Sequence, residues 1–215
     1  MACHCMKKLV GSLLVAAFAL SAQASGLDSL EQFVKSAKSG RAEFTQVVTS
    51  PPRDGQTARS KTSSGTFEFS RPNRFRFNYK KPFEQTIVAD GQTLWLYDAD
   101  LKQVTTRKQS DALGATPAAL IASAPDLGAL RKDFDLEAAG AKDGLEWVQA
   151  TPRAKEGQLH MVRIGFRGND LAALEILDSF GQRSVLTFNK MELNAGVSPD
   201  AFNFKPPQGV DVLKQ

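Results

Sequence analysis

A chain of 215 residues with 27 Lys and Arg against 23 Asp and Glu, formal net charge +4, is long enough for one domain with a sizeable core. No block of like charge points to nucleic acid or to a strongly anionic surface, and the only two cysteines, Cys3 and Cys5, supply no disulfide framework. There is no linker and no internal repeat.

The first 24 residues read as a secretory signal. Lys7 and Lys8 precede an apolar run from Leu9 to Leu20, too short and wrongly flanked for a membrane span, and Ala22-Gln23-Ala24 offers the small residues of a cleavage site. Met6, directly before the two lysines, is also a natural start. Cleavage after Ala24 removes Lys7 and Lys8, taking the net charge from +4 to +2. It also removes both cysteines, neither of which stands where an acyl anchor would be attached. Residues 25–215 are then expected to form one monomeric domain.

From Gly26 to Ser39 the spacing of Leu27, Leu30, Phe33 or Val34, and Ala37 predicts a helix, capped by Asp28 or Ser29 and ended by Gly40. Ala42–Thr49 reads as a strand. Pro51–Ser64, rich in Pro, Gly, Ser and Thr, reads as a mobile loop.

Gly65–Asp98 carries three strand-like runs and most of the aromatic residues of the first half. Alternation puts Phe67 and Phe69 on one face and Phe75, Phe77 and Tyr79 on another, with Arg74, Arg76 and Asn78 on a wet opposite side. Between the runs, Arg71-Pro72-Asn73 sets a guanidinium at a turn beside a residue of fixed φ, where it can reach backbone carbonyls and act as a latch. Asp90-Gly91 is a two-residue hairpin signal joining Gln85–Ala89 to Thr93–Tyr97. Ile87, Ala89, Leu94 and Leu96 on one face of this hairpin, and Val88, Trp95 and Tyr97 on the other, suit an interior on one side and a covering element on the other. Asp98-Ala99-Asp100 turns the chain into Lys102–Arg107.

Thr116–Ala122 and a second segment from Ala124-Pro125-Asp126 through Leu130 are short apolar helices bordered by prolines, and they need a surface to lie on. Strands resume at Phe134–Ala138, Leu145–Thr151, Leu159–Phe166, Leu171–Leu177 and Arg183–Asn194, joined by brief turns, and Ser198-Pro199-Asp200 opens one more helical turn. The fold class is mainly β: a large antiparallel meander curling towards a barrel, with short helices as a lid. Such a sheet encloses a packed core or a hydrophobic cavity.

Catalytic readings find little support. Without the signal, His160 is the only histidine, and it sits in an alternating strand-like run. Asp90, Asp98, Asp143 and Asp170 all fall in turns, where Asp bonds its own backbone. No metal-ligand spacing and no Gly-rich phosphate loop is present, so neither enzyme activity nor a metal or cofactor is expected.

One set of residues carries a family resemblance: Gly65-Thr66-Phe67, the run Arg71-Pro72-Asn73-Arg74-Phe75-Arg76-Phe77, Tyr79, Pro82, Gln85, the run from Asp90 to Asp98, and Phe202–Gly209. This pattern resembles the LolA family, periplasmic carriers that ferry lipoproteins to the outer membrane, over essentially the whole mature chain. The resemblance implies a soluble periplasmic protein whose incompletely closed barrel, capped by helices, holds acyl chains. It places Val34, Phe75, Phe77, Ala118, Leu120 and Ile121 at cavity or lid positions, although some relatives carry tryptophan where this chain has Phe77. Phe67 and Trp95 complete the candidate lining, and Arg71 is the candidate lid latch. The implied partners are acylated lipoproteins, an inner-membrane ABC-type lipoprotein-releasing complex and an outer-membrane lipoprotein receptor. The fold type is also similar to that receptor, which needs an acylated N-terminal cysteine, and to the sensing domain of periplasmic stress regulators, which carry a second domain. A carrier or sensor for another amphiphile, such as a glycolipid or a mislocalised lipoprotein, is the remaining reading.

Overall fold

The computed structural model describes residues 25–52, 56–110, 126–154 and 157–215. The expected signal and the expected lid positions Ala118, Leu120 and Ile121 lie outside the described residues.

The chain opens with α1 (Gly26–Ser36). Its cap is Ser25 rather than Asp28 or Ser29: the Asp28 N–H donates to Ser25 Oγ at 3.3 Å, and the Ser25 N–H donates back to Asp28 Oδ2 at 3.0 Å, a reciprocal box that satisfies two orphan donors. Leu30, Phe33 and Val34 form its buried stripe. Gly40 does not end it, because the helix closes at Ala37 and Gly40 already pairs within the first strand. A Cβ on Gly40 would stand 2.5 Å from Phe69 Cε1, so glycine is there to admit a ring, not to stop a helix.

Among the described residues twelve strands follow: β1 (Ser39–Ser50), β2 (Arg59–Ser70), β3 (Arg74–Lys81), β4 (Gln85–Ala89), β5 (Thr93–Asp98), β6 (Gln103–Lys108), β7 (Phe134–Lys142), β8 (Leu145–Pro152), β9 (Leu159–Arg167), β10 (Asp170–Asp178), β11 (Arg183–Leu193) and β12 (Asp211–Lys214). They make one sheet in the order β12-β6-β5-β4-β3-β2-β1-β11-β10-β9-β8-β7, so β1 joins two meanders and the end strands β12 and β7 leave the barrel unclosed. The curl is visible in one ring. Phe33 of α1 lies 6.2 Å from Phe69 on β2 and 5.9 Å from Phe166 on β9. Those strands are four apart and would be separated by about 19 Å in a flat sheet.

Several expectations change. Arg59–Ser64, read as loop, is the first half of β2: its polar side chains are mostly exposed, and the strand forms because its backbone ladder to β1 runs unbroken from Ser50↔Arg59 to Ser39↔Ser70. Gly91 and Gln92, not Asp90 and Gly91, occupy the hairpin corner, since the Asp90 N–H bonds to Thr93 O. No local signal announces β12, and it pairs with β6 in parallel, in an otherwise antiparallel sheet. Beyond the stretch outside the described residues comes a further helix, α2 (Leu127–Asp133), which is capped by Asp126 and buries Leu130, beginning and ending later than its sequence suggests. A 3-10 turn, Pro199–Phe202, is capped by Ser198, in line with the Ser-Pro-Asp signal.

The core fills the inner face of the sheet, under α1. A second, smaller apolar layer lies on the outer face of β3–β6, where Val88, Val104 and Phe202 are buried. There Arg76, on the side expected to be wet, donates from Nη1 to Ala201 O at 3.1 Å, and the Arg74 guanidinium stands over the Phe202 ring at 5.6 Å. The expected covering element is thus the C-terminal segment.

Candidate binding site

The two aromatic faces read separately in the sequence are one face. Antiparallel register sets Phe67 opposite Phe77 and Phe69 opposite Phe75, which brings all four rings to the inside of the sheet. Phe67 and Phe77 centroids are 4.5 Å apart, Phe67 and Phe188 5.5 Å, and Phe44 meets Phe77 edge-on at 5.4 Å. Val34 joins the same buried cluster from α1. Four of the expected lining residues, Val34, Phe67, Phe75 and Phe77, are therefore brought together, but as packed core and not as the walls of an open space.

The open space begins at Tyr79, which touches Phe44 edge-on at 5.0 Å and stacks beside Phe77 at 6.3 Å. Burial pushes the Tyr79 hydroxyl up to about 12, so it is neutral at any physiological pH. From there a cavity of about 650 Å³ opens, walled by Gln46 and Val48 of β1, Lys61 and Ser63 of β2, and the turn residues Phe83 and Leu101. Its size is within the usual range of about 300–1,000 Å³ for small-molecule sites.

Trp95 does not line this face. Paired with Val88, it points to the outer side, where its ring meets Phe204 at 5.6 Å and its Nε1–H donates to Asp90 Oδ2 at 2.9 Å. The correction follows from period two: Leu94 and Leu96 face Ala89 and Ile87 inward, so the residue between them must face out.

Arg71 sits at the far end of the aromatic cluster, where its N–H donates to Lys38 O at 2.8 Å. Its guanidinium lies 5.6 Å from the Phe33 ring, and burial lowers its pKa to about 10. Sequence reasoning misses Phe44 and Phe188, which β1–β11 pairing sets directly opposite each other. Both fall inside expected strands, and following the alternation places them with Phe67. His160 is exposed on β9, and among the described residues no three His, Cys, Asp or Glu gather as metal ligands.

Comparison with known proteins bears on what this face is for. The family model for "Outer membrane lipoprotein carrier protein LolA" matches residues 35–205. An outer-membrane lipoprotein carrier protein of Albidiferax ferrireducens is 63% identical over 212 residues, covering 97% of this chain and 100% of that protein. One from Methylibium petroleiphilum is 56% identical over 195 residues, covering 91% and 92%. Among solved structures, an uncharacterized conserved protein from Thermus thermophilus superimposes with TM-score 0.52 at 12% identity, covering 88% of this chain and 96% of that one, a likeness of fold alone.

Proposed function

The chain belongs to the LolA family of outer-membrane lipoprotein carriers, and from that premise we propose that it binds lipoproteins in the periplasm by their acyl chains and passes them on unchanged. The observation that carries this reading is an inner face that runs without interruption from a phenylalanine cluster, through Tyr79, into an open cavity of about 650 Å³.

The energetics set the limits of the mechanism. Each buried methylene contributes about 0.8 kcal/mol, so full burial of several acyl chains would hold cargo too tightly for delivery. A carrier must keep loading and release nearly balanced. A closed empty state that is itself stable achieves this, because acyl burial is then offset by the packing that opening disrupts. Arg71, partly buried against α1 at the closed end of the cluster, is the residue we assign to holding the empty state. Loading from an inner-membrane ABC-type complex and release to an outer-membrane receptor would both take place at the open rim of the sheet. The cleaved product, beginning at Ser25, is the form that does this work.

Because Phe75 is buried among other rings, a charge there would unfold the core and test nothing about cargo. Val48 is the better position: it is only half-buried, and it lines the cavity. Val48→Glu should leave the melting temperature within a few degrees while lowering lipoprotein loading by more than about tenfold, since a carboxylate would have to be desolvated among methylenes. Undiminished loading by the folded variant would show that the cavity does not receive the cargo. Mass spectrometry of what co-purifies with the wild type identifies the acyl species.

A further inference from the structure

Three hairpin turns contribute residues to the wall of the cavity: β3–β4 through Phe83, β5–β6 through Leu101 and β10–β11, which carries Phe180, through Gln182. Phe83 and Leu101 line the mouth, and Phe180 is two residues from Gln182, which also lines it. These side chains are 55%, 70% and 73% exposed, and among the described residues the only other large apolar side chains so exposed are Val212 and Leu213 on β12. Two of these five uncovered apolar side chains thus line one opening, and a third lies two residues from its wall.

The tips are braced. The Leu101 N–H donates to Asp98 Oδ1 at 3.0 Å, and the N–H groups of Phe180 and Gln182 donate to Asp178 Oδ1 at 2.9 and 2.8 Å. The Lys61 ammonium lies 4.7 Å from the Phe83 ring centroid. The Leu101 and Phe180 turns are thus fixed by their own aspartates, and Phe83 is held against a lysine of the neighbouring strand β2. The same bonds commit Asp98 and Asp178 to backbone donors, leaving Glu84 and Asp100 as the uncommitted acids of these turns. Around them Arg59, Lys61, Lys80, Lys81 and Lys102 are all exposed.

We propose that these three tips insert shallowly into the surface of an anionic phospholipid bilayer, the apolar side chains entering the boundary between headgroups and acyl chains and the basic side chains meeting the phosphates. Hand-over partners visit this rim only during transfer, and for the contact made by the empty protein a bilayer fits the pattern better than a protein does. Protein interfaces have a contiguous apolar centre depleted in lysine, whereas here the apolar residues are separated by lysines and by the cavity itself. The proposal goes beyond the carrier reading and does not need it, because the empty protein already presents the tips.

The test is flotation of the cargo-free protein with vesicles of phosphatidylcholine containing about one third phosphatidylglycerol, at low salt, where surface attraction is least screened. The wild type should float with these vesicles and scarcely with pure phosphatidylcholine. A triple variant, Phe83→Ser, Leu101→Ser and Phe180→Ser, alters only exposed side chains and should keep its melting temperature while losing more than about tenfold in vesicle affinity. As a second readout, Phe180→Trp should shift its fluorescence to the blue when anionic vesicles are added. Failure of the wild type to float, equal flotation by the triple variant, an unshifted Phe180→Trp emission, or rim-dependent binding to a protein with vesicles inert would each overturn the proposal.

Discussion

Asp90 concentrates four interactions in one residue. Its Oδ1 accepts from the Gln92 and Thr93 N–H groups, both at 2.8 Å, its Oδ2 accepts the Trp95 indole N–H, and its own N–H closes the hairpin to Thr93 O. Burial works to raise this carboxyl, but the bonds from Thr93, Trp95 and Gln92 outweigh it and hold the group below its ordinary value. A carboxyl lower in the folded than in the unfolded state adds stability that is present above the unfolded value and is lost as the pH falls through the folded one. Urea midpoints of the wild type should therefore drop as the pH goes below about 4. Asp90→Asn should start lower at pH 7 and follow a flatter acid limb, and parallel acid limbs for the two proteins would show that Asp90 carries no such share.

At the scale of elements, β2 is the strand on which the candidate binding face depends. It carries Phe67 and Phe69 and is paired on both sides along its second half. Its register with β3 shifts at Ser64 and Gly65. A Cβ added at Gly65 would lie 2.1 Å from Asn78 O and 2.9 Å from Tyr79 Cα, both backbone atoms that cannot rotate away. Gly65→Ala should consequently cost about 3 kcal/mol, at the upper end of what overpacking a core costs, read as a lowered urea midpoint at unchanged slope. An unchanged midpoint would mean that β2 and β3 can part at this point without loss, and the continuity of the aromatic face would need another explanation.

For the molecule as a whole, the question is how an open sheet exchanges an empty, packed state for a loaded one. Arg71→Leu removes the guanidinium beside Phe33 but keeps an apolar side chain of moderate size. If Arg71 holds the empty state, the variant should accept lipoprotein as readily as the wild type and release it to an acceptor about tenfold more slowly, the equivalent of about 1.4 kcal/mol of extra retention. Loading and release assays on the same preparation separate this from simple loss of stability, which would depress both. Release at the wild-type rate from a stable Arg71→Leu protein would remove Arg71 from the mechanism. The exposed tips at the opposite end of the aromatic cluster complete this picture, placing the opening and the proposed bilayer contact together.

Alternation, turn residues and capping signals act within a few residues of one another, and what depends on them is readable from the chain alone: a meander of short-turn strands, the helix with Leu30, Phe33 and Val34 on one face, the ends of β4, and the 3-10 turn at Ser198. The family pattern, too, was legible in the run from Arg71 to Phe77 and in Asp90–Asp98. The remaining features are set by contacts between residues far apart in the chain. The register that folds two aromatic faces into one is a β2–β3 property, and the polar half of β2 exists because β1 offers a ladder, not because its side chains alternate. Trp95 faces outward because a hairpin's inner face is chosen by what packs against it, here Phe204 from the C-terminal segment on one side and the aromatic core on the other. Gly40 has the look of a helix stop and is in fact clearance for the ring of Phe69 on the neighbouring strand, an approach that no local signal announces.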